Sequence, residues 1–118
     1  MIDSILTSIK KLLGLTEEYT NFDDDIIMNI NAVFMDLEQL GVGPQEGFSI
    51  EDDTASWTDY IDIEKEPEKT TLLAAVKSYI HLKVKLQFDP PLSSAVEKAI
   101  NARIDELEWR LNVKAETK

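Results

Sequence analysis

The chain has 118 residues and a mass of 13.4 kDa, enough for one domain and not comfortably for two. Apolar residues make up 43% of the sequence, so a core can form, and 23 acidic against 12 basic residues give a net charge of -11, which disfavours broad neutralisation of nucleic-acid phosphates. The absence of cysteine and the single histidine exclude thiolate chemistry, Fe–S clusters and His-rich metal sites, and no apolar run approaches the roughly 20 residues of a membrane span.

Two helices are predicted in the first part of the chain. The first occupies residues 2–13, where apolar side chains recur at three- and four-residue spacing at Ile2, Ile5, Leu6, Ile9, Leu12 and Leu13. The second occupies residues 23–40, with Asn21 or Asp23 as its N-cap and Gly41 at its end. Its first turn holds three consecutive aspartates, which suit the helix dipole and do not have the spacing of a calcium loop.

A less regular segment follows at residues 47–66. Apolar and polar residues alternate at its start, and Glu51, Asp52 and Asp53 then open a polar loop. This pattern predicts a short β-hairpin or an extended arm. Trp57 has two interpretations at this point: it packs on the helical core, or it is an aromatic anchor at an interface.

A third helix is predicted over residues 70–88, with a threonine at its start as the cap. Its apolar residues are spread widely enough to indicate burial on more than one flank. Lys77, His81 and Lys85 are spaced at i, i+4 and i+8, so they line up on one face. This row is either a solvated face of the helix or a basic ridge that meets an acidic neighbour.

A sharp corner separates the third helix from a fourth. The corner consists of Phe88, Asp89, Pro90 and Pro91. Proline has no N–H to continue a helix and forces extended geometry on the residue before it. Ser94 and Glu97 then form a capping box for a helix over residues 94–112, in which Trp109 and Arg110 are expected to pack within the hairpin of the last two helices. The predicted fold is all-α, a small bundle of about four helices with a short β-hairpin or extended arm in the middle.

Charge is divided unevenly along the chain. Residues 1–68 hold 17 acidic and 3 basic side chains, whereas residues 69–118 hold 6 acidic and 9 basic ones. This asymmetry permits a head-to-tail contact in which the basic part of one copy meets the acidic part of the next. Pairing of the two halves inside one folded chain is the other interpretation.

The residues supply little chemistry for catalysis. His81 is the one side chain that titrates near neutrality without perturbation, and it lies between two lysines with no carboxylate one turn away. The four glycines match no phosphate-binding or dinucleotide-binding spacing. We therefore expect a protein that is not an enzyme, that holds no cofactor or metal, and that acts in assembly.

Several runs of sequence, taken together, resemble a known family. They are IKKLLGL at 9–15, QLGVGP at 39–44, YIHLKVKLQFDPP at 79–91 and ELEWRLN at 106–112. These runs resemble the head–tail connector proteins, also called head-completion or adaptor proteins, of tailed bacteriophages and prophages from Gram-positive bacteria. The resemblance extends over nearly the whole chain and is weakest between residues 51 and 68.

The resemblance implies a structural virion protein made in the cytoplasm of the bacterial host and located at the head–tail junction. It implies a ring of about a dozen copies beneath the portal protein, which extends the DNA channel and receives the head-closure or tail-joining proteins. Packaged DNA would pass through without specific binding. The competing hypothesis is a small acidic regulatory protein or an inhibitor that mimics DNA.

Within the connector interpretation, three groups of residues receive roles. Glu51, Asp52 and Asp53 are expected to line the channel, because acids do not grip phosphates. Subunit or partner contacts are expected at Lys77, His81, Lys85 and Trp57. The run from Phe88 to Pro91 is expected to act mainly as a structural corner.

Overall fold

The computed structural model describes residues 4–116, which form five α-helices around one core. The helices are α1 (Ile5–Leu12), α2 (Asp23–Gln39), α3 (Trp57–Tyr60), α4 (Thr70–Phe88) and α5 (Ser94–Glu116), with a 3-10 turn at Pro67–Lys69 before α4. The all-α prediction is confirmed. The predicted β-hairpin is wrong, because the described residues contain no strand and their β pairing is a single bridge between Ser4 and Ser56.

Helix α1 is short and lies against α2 and α4. Ser4 is its N-cap, and the Ser4 hydroxyl accepts a hydrogen bond from the Thr7 backbone at 3.2 Å. The predicted start at Ile2 lies outside the described residues. A helix of 8 residues is marginal alone in water, so the burial of Ile5 and Ile9 against the bundle stabilises it.

Helix α2 begins at Asp23 with Phe22 as its N-cap, and no side chain caps it. The predicted capping by Asn21 or Asp23 is therefore wrong. Asp23 Oδ1 instead lies 2.9 Å from the Nζ of Lys10, which is buried between α1 and α2. The helix ends before Gly41, whose φ of 85° is accessible to glycine at little cost.

The segment between α2 and α3 is irregular and packs on the bundle. Its Ile50 is buried, and the Asn31 side chain on α2 satisfies the Ile50 backbone by accepting from its N–H at 2.8 Å and donating to its carbonyl at 3.0 Å. Since Asn31 supplies both hydrogen bonds, Ile50 needs no partner strand. This pairing is the physical reason why an alternating sequence forms no hairpin here.

Helix α3 consists of one turn with a complete capping box. The Ser56 hydroxyl accepts from the Asp59 backbone at 3.3 Å, and the Asp59 carboxylate accepts from the Ser56 backbone at 2.9 Å. This turn directs Trp57 and Tyr60 into the core. The Tyr60 ring packs 4.7 Å from the Phe34 ring, so the middle segment contributes a substantial part of the core.

Helices α4 and α5 form the predicted antiparallel hairpin, and α4 also packs on α1 and α2. The start of α4 is not capped by a threonine side chain; the Thr70 hydroxyl donates to the Pro67 carbonyl at 2.8 Å. At the start of α5 the Ser93 hydroxyl accepts from the Val96 backbone at 3.4 Å, so Ser93 replaces the predicted Ser94 as the cap. Helix α5 continues four residues beyond the predicted end at 112, to Glu116.

Candidate interaction surfaces

Lys77, His81 and Lys85 lie along one side of α4 as predicted, and we refer to them as the α4 row. Each is half-buried and has a contact within the chain. Lys77 Nζ lies 5.3 Å from the centre of the Trp57 ring, and Lys85 Nζ lies 3.5 Å from the Asp89 carboxylate. The α4 row is therefore partly engaged by α3 and by the corner after α4, and is not a fully solvated face.

His81 is held in its neutral form more strongly than a free histidine. Burial, and then the neighbouring Lys85 ammonium, lower the pKa of His81 below its ordinary value. A hydrogen bond with the Leu12 backbone at the end of α1 opposes this shift without reversing it. The side chain therefore joins α1 to α4, and no carboxylate contributes to its shifted pKa.

Trp57 lies wholly inside the core, with no exposed surface. Its indole Nε1–H donates to the Ser8 hydroxyl on α1 at 2.9 Å. Of the two interpretations of Trp57, core packing is the one that the structure supports. The expectation of an interface anchor needs correction, because the capping box of α3 turns this side chain inward and leaves none of it for a partner.

The acidic loop formed by Glu51, Asp52 and Asp53 is exposed at all three positions. Asp52 accepts hydrogen bonds from the hydroxyl and backbone of Thr54, at 2.6 and 2.9 Å, and these bonds hold the pKa of the Asp52 carboxyl below its usual range. The turn that they form keeps the neighbouring carboxylates at the surface. The acidic loop can therefore present its negative charge to a molecule that approaches this part of the surface.

Two exposed rings of the linker between α1 and α2, Tyr19 and Phe22, pack beside half-buried Phe88 at the end of α4, and we call this group the aromatic surface. Phe22 packs edge-on against Phe88 at 5.3 Å and against Tyr19 at 5.7 Å. Open depressions of about 360 and 500 Å³ lie beside the Phe22 and Phe88 pair. Phe88 therefore forms part of the aromatic surface as well as the corner. Leu92, just beyond the corner, is completely exposed.

Trp109 is exposed to 68% on the outer side of α5, so the expectation that it packs within the hairpin is wrong. The buried stripe of α5 consists of Ile104, Leu107 and Leu111. Trp109 follows Leu107 by two residues, which places it about 200° around a helix from that stripe. This offset is a signal in the sequence that could have identified an exposed tryptophan.

Two further surfaces were not identified from the sequence. The first, the α4–α5 groove, has a volume of about 250 Å³ and is lined by Thr71, Ala74 and Ser78 from α4 and by Arg103, Leu107 and Arg110 from α5. The second, the α2 stripe, consists of Met28, Ala32 and Met35 on the outer side of α2. Met28 and Met35 are 69% and 64% exposed. Spacing at i, i+4 and i+7 was the signal for this stripe.

One ion-pair network joins the acidic and basic halves of the chain inside the fold. Lys83 Nζ on α4 lies 2.7 Å from the Asp36 carboxylate on α2 and 4.0 Å from the Glu108 carboxylate on α5. The Tyr79 hydroxyl donates to Glu108 at 2.8 Å. Internal pairing therefore accounts for part of the charge asymmetry, and the acidic loop lies outside this network.

The described part of the chain offers no evident reactive centre. Between residues 4 and 116 no three acidic or histidine side chains gather in a way that could hold a metal ion. None of the helices in that range has both the length and the apolar character needed to span a bilayer.

A family model described as phage connector protein matches residues 5–118, a span that includes all five helices. No curated protein and no solved structure gives a significant match.

Proposed function

Because the chain belongs to the phage connector protein family, we propose that it is the adaptor that joins a filled phage head to its tail. In this role copies of the chain form a ring of about a dozen subunits beneath the portal protein, extend the DNA channel, and receive the head-closure or tail-joining protein. The observation that carries the proposal is the match of the family model over residues 5–118.

The exposed apolar side chains support a protein that works inside an assembly. Met28, Met35, Leu92 and Trp109 are each more than 60% exposed, and the aromatic surface adds Phe22 at 40%. Met28 and Met35 lie on one face of α2, and a grouped apolar surface is typical of a site that a partner covers. Methionine and tryptophan are also enriched at protein interfaces.

The acidic loop supports a position of the protein beside the DNA path without affinity for DNA. Glu51, Asp52 and Asp53 are exposed, and the whole chain has a net charge of -11. A surface that releases no counterions from phosphates gains no affinity for DNA, so DNA can slide past it. We place this loop on the channel side of the ring.

The α4 row contributes to the subunit contact in this proposal. Lys77 and Lys85 keep part of their surface exposed although each has a contact within the chain. Changing both to glutamate is expected to weaken ring formation while the monomer stays folded. Assembly at the same protein concentration as the parent chain would exclude the α4 row from the contact.

The experiment that tests the proposed function is mass measurement by light scattering on a sizing column, for the chain alone and with the portal protein of the same phage. A ring alone, or about a dozen copies on the portal, is the expected result. A chain that is monomeric alone and forms the ring only when the portal protein is present would indicate that the portal acts as the template for assembly. A monomer that ignores the portal and competes with DNA for an enzyme would contradict the proposal and favour the DNA-mimic inhibitor.

A further inference from the structure

We propose that the α2 stripe of one copy docks into the α4–α5 groove of the next copy. This inference rests on the proposed function, since it names the surfaces by which the subunits of the ring would meet. The two surfaces of this contact, the α2 stripe and the α4–α5 groove, lie on different helices and have no residue in common. Such a contact is head-to-tail, and repetition of a head-to-tail contact builds a ring when the rotation closes.

The α4–α5 groove has the composition of a docking site for an apolar helix. Its α4 side is made of small residues, Thr71, Ala74 and Ser78, which let another helix approach closely. Leu107 lies at its base and is 2% exposed, so the groove reaches down to the core of the bundle. A groove of about 250 Å³ is large enough for side chains of methionine size.

The edge of the groove carries positive charge. Arg103 and Arg110 both pair with the single carboxylate of Glu106, so this triplet keeps one positive charge uncompensated. The hydrogen bond from Arg103, and then the charge of Arg110, hold the pKa of Glu106 below its usual range.

The α2 stripe has the complementary composition. Helix α2 carries five acidic side chains and no basic one. Met28 and Met35 are flanked by exposed Asp25 at one end and exposed Glu38 at the other. Methionine adapts its shape to irregular grooves, so the stripe offers two flexible apolar side chains between two acidic ends.

The spacing of the two surfaces also matches. Met28 and Met35 are seven residues apart, which is two helical turns or about 10.5 Å along the axis. Thr71 and Ser78 on α4 have the same separation, and so do Arg103 and Arg110 on α5. Copies with a net charge of -11 repel one another, so close approach is favoured where the cations of one surface meet the acids of the other.

Cysteine cross-linking tests this contact directly, because the chain contains no cysteine. The variants Met35→Cys and Ser78→Cys are mixed with the portal protein and treated with a short bismaleimide. A cross-linked heterodimer is expected from the mixture, and a ladder of higher oligomers is expected from the double variant. Met35→Cys paired with Glu64→Cys serves as the control, since Glu64 is exposed outside both surfaces.

Charge reversal supplies the second measurement. Arg103→Glu combined with Arg110→Glu is expected to abolish the ladder, and Asp25→Lys combined with Glu38→Lys is expected to abolish it as well. Mixing the two reversed chains is expected to restore the ladder, because the two chains alternate. A reversed groove meets a reversed stripe at one contact, and a parent groove meets a parent stripe at the next. Circular dichroism of each variant shows that loss of the ladder does not come from unfolding.

The outcomes separate this inference from the proposed function. Assembly on the portal without a link between Met35→Cys and Ser78→Cys, or with a ladder equal to that of the Glu64→Cys control, overturns the inference and leaves the connector function standing. A parent chain that forms no oligomer and ignores the portal overturns both. Dimers formed by Met35→Cys alone would indicate a symmetric contact between two α2 stripes and would also overturn the inference.

Discussion

Lys10 Nζ lies 2.9 Å from Asp23 Oδ1 and joins the end of α1 to the first turn of α2 inside the protein. The lysine is 2% exposed, and its Nζ also donates to the Glu17 carbonyl at 3.1 Å. These contacts hold the linker between the two helices against the bundle. The same linker carries Tyr19 and Phe22, so the contact between buried Lys10 and half-buried Asp23 positions part of the aromatic surface.

The first prediction concerns the loss of one partner of this pair. Asp23→Asn is expected to lower the free energy of unfolding by about 3 kcal/mol, because the Lys10 ammonium stays buried without its counter-charge. Urea denaturation followed by circular dichroism measures the loss. Asp24→Asn is the matched control, since Asp24 is exposed in the same helical turn and its loss is expected to cost under about 0.5 kcal/mol. Equal costs for the two variants would contradict this account of Lys10.

The second prediction uses the two tryptophans, which the structure places in opposite environments. Trp57 has no exposed surface, whereas Trp109 is 68% exposed. In Trp109→Phe the remaining fluorescence is expected to resist quenching by acrylamide, and in Trp57→Phe it is expected to be quenched readily. Adding the portal protein should protect Trp109 if α5 is covered in the assembly. Strong quenching of Trp57 in the folded chain would contradict the buried position of α3.

The helices with clear stop signals were predictable, and the middle of the chain was not. Helix α4 matches its predicted span of 70–88, because a proline pair ends it and its apolar stripe is continuous. The irregular segment depends on Asn31 pairing with Ile50, a contact across 19 residues that no local pattern specifies. The Asn31 side chain makes the hydrogen bonds to the Ile50 backbone that a partner strand would otherwise make, so the strand indicated by the alternating apolar and polar residues does not form.

The candidate surfaces were predictable in part. The α4 row follows from spacing alone and does lie on one side of the helix. The α4–α5 groove could not be derived, because it depends on how two helices pack. Trp57 was misassigned to an interface, although Ser56 and Asp59 have the spacing of a capping box and indicate a helical turn there.

The third prediction compares two glycines with the same backbone angle. Gly14 and Gly43 have φ values of 87° and 90°, so alanine at either site costs about 1–2 kcal/mol of strain. A methyl group at Gly43 would also lie 2.7 Å from the Tyr60 ring, whereas nothing lies within 4 Å at Gly14. Gly43→Ala is therefore expected to destabilise the fold by more than Gly14→Ala in urea denaturation. Equal losses would mean that Tyr60 moves aside without cost.

The fourth prediction concerns the pH dependence of stability from His81. Its pKa in the folded chain is lowered by burial and by Lys85, so the unfolded chain takes up a proton first as the pH falls below about 6.5. The free energy of unfolding is therefore expected to decrease as the pH falls from that value towards the folded pKa. Well above about 6.5, by roughly one pH unit or more, the histidine is neutral in both states and contributes no pH dependence.

The variant His81→Gln isolates this contribution, because glutamine does not titrate. Between pH 7 and 5.5 the parent chain is expected to lose more stability than His81→Gln, measured by urea denaturation at each pH. The carboxylates are common to both chains, so their titration cancels in the comparison. Parallel losses in the two chains would show that His81 has the same pKa when folded and unfolded.

The fifth prediction tests the placement of the acidic loop on the channel side of the ring. Glu51→Lys combined with Asp53→Lys changes the charge of each copy by four units and leaves Asp52, which forms the turn with Thr54, in place. Because both positions are exposed, the fold and the assembly on the portal are expected to persist. The reversed loops would then converge on the DNA path, and the ring is expected to retain DNA in a manner that weakens steeply with salt.

The control for this prediction is Glu17→Lys combined with Glu18→Lys, which makes the same change of charge at exposed positions of the linker between α1 and α2. Filter binding of DNA to the assembled rings over a salt series compares the two variants. If the loop faces the channel, the loop variant retains DNA more tightly and with the steeper salt dependence, because its lysines surround one duplex. If the linker variant binds DNA equally well, net charge alone accounts for the retention, and the acidic loop does not belong on the channel side.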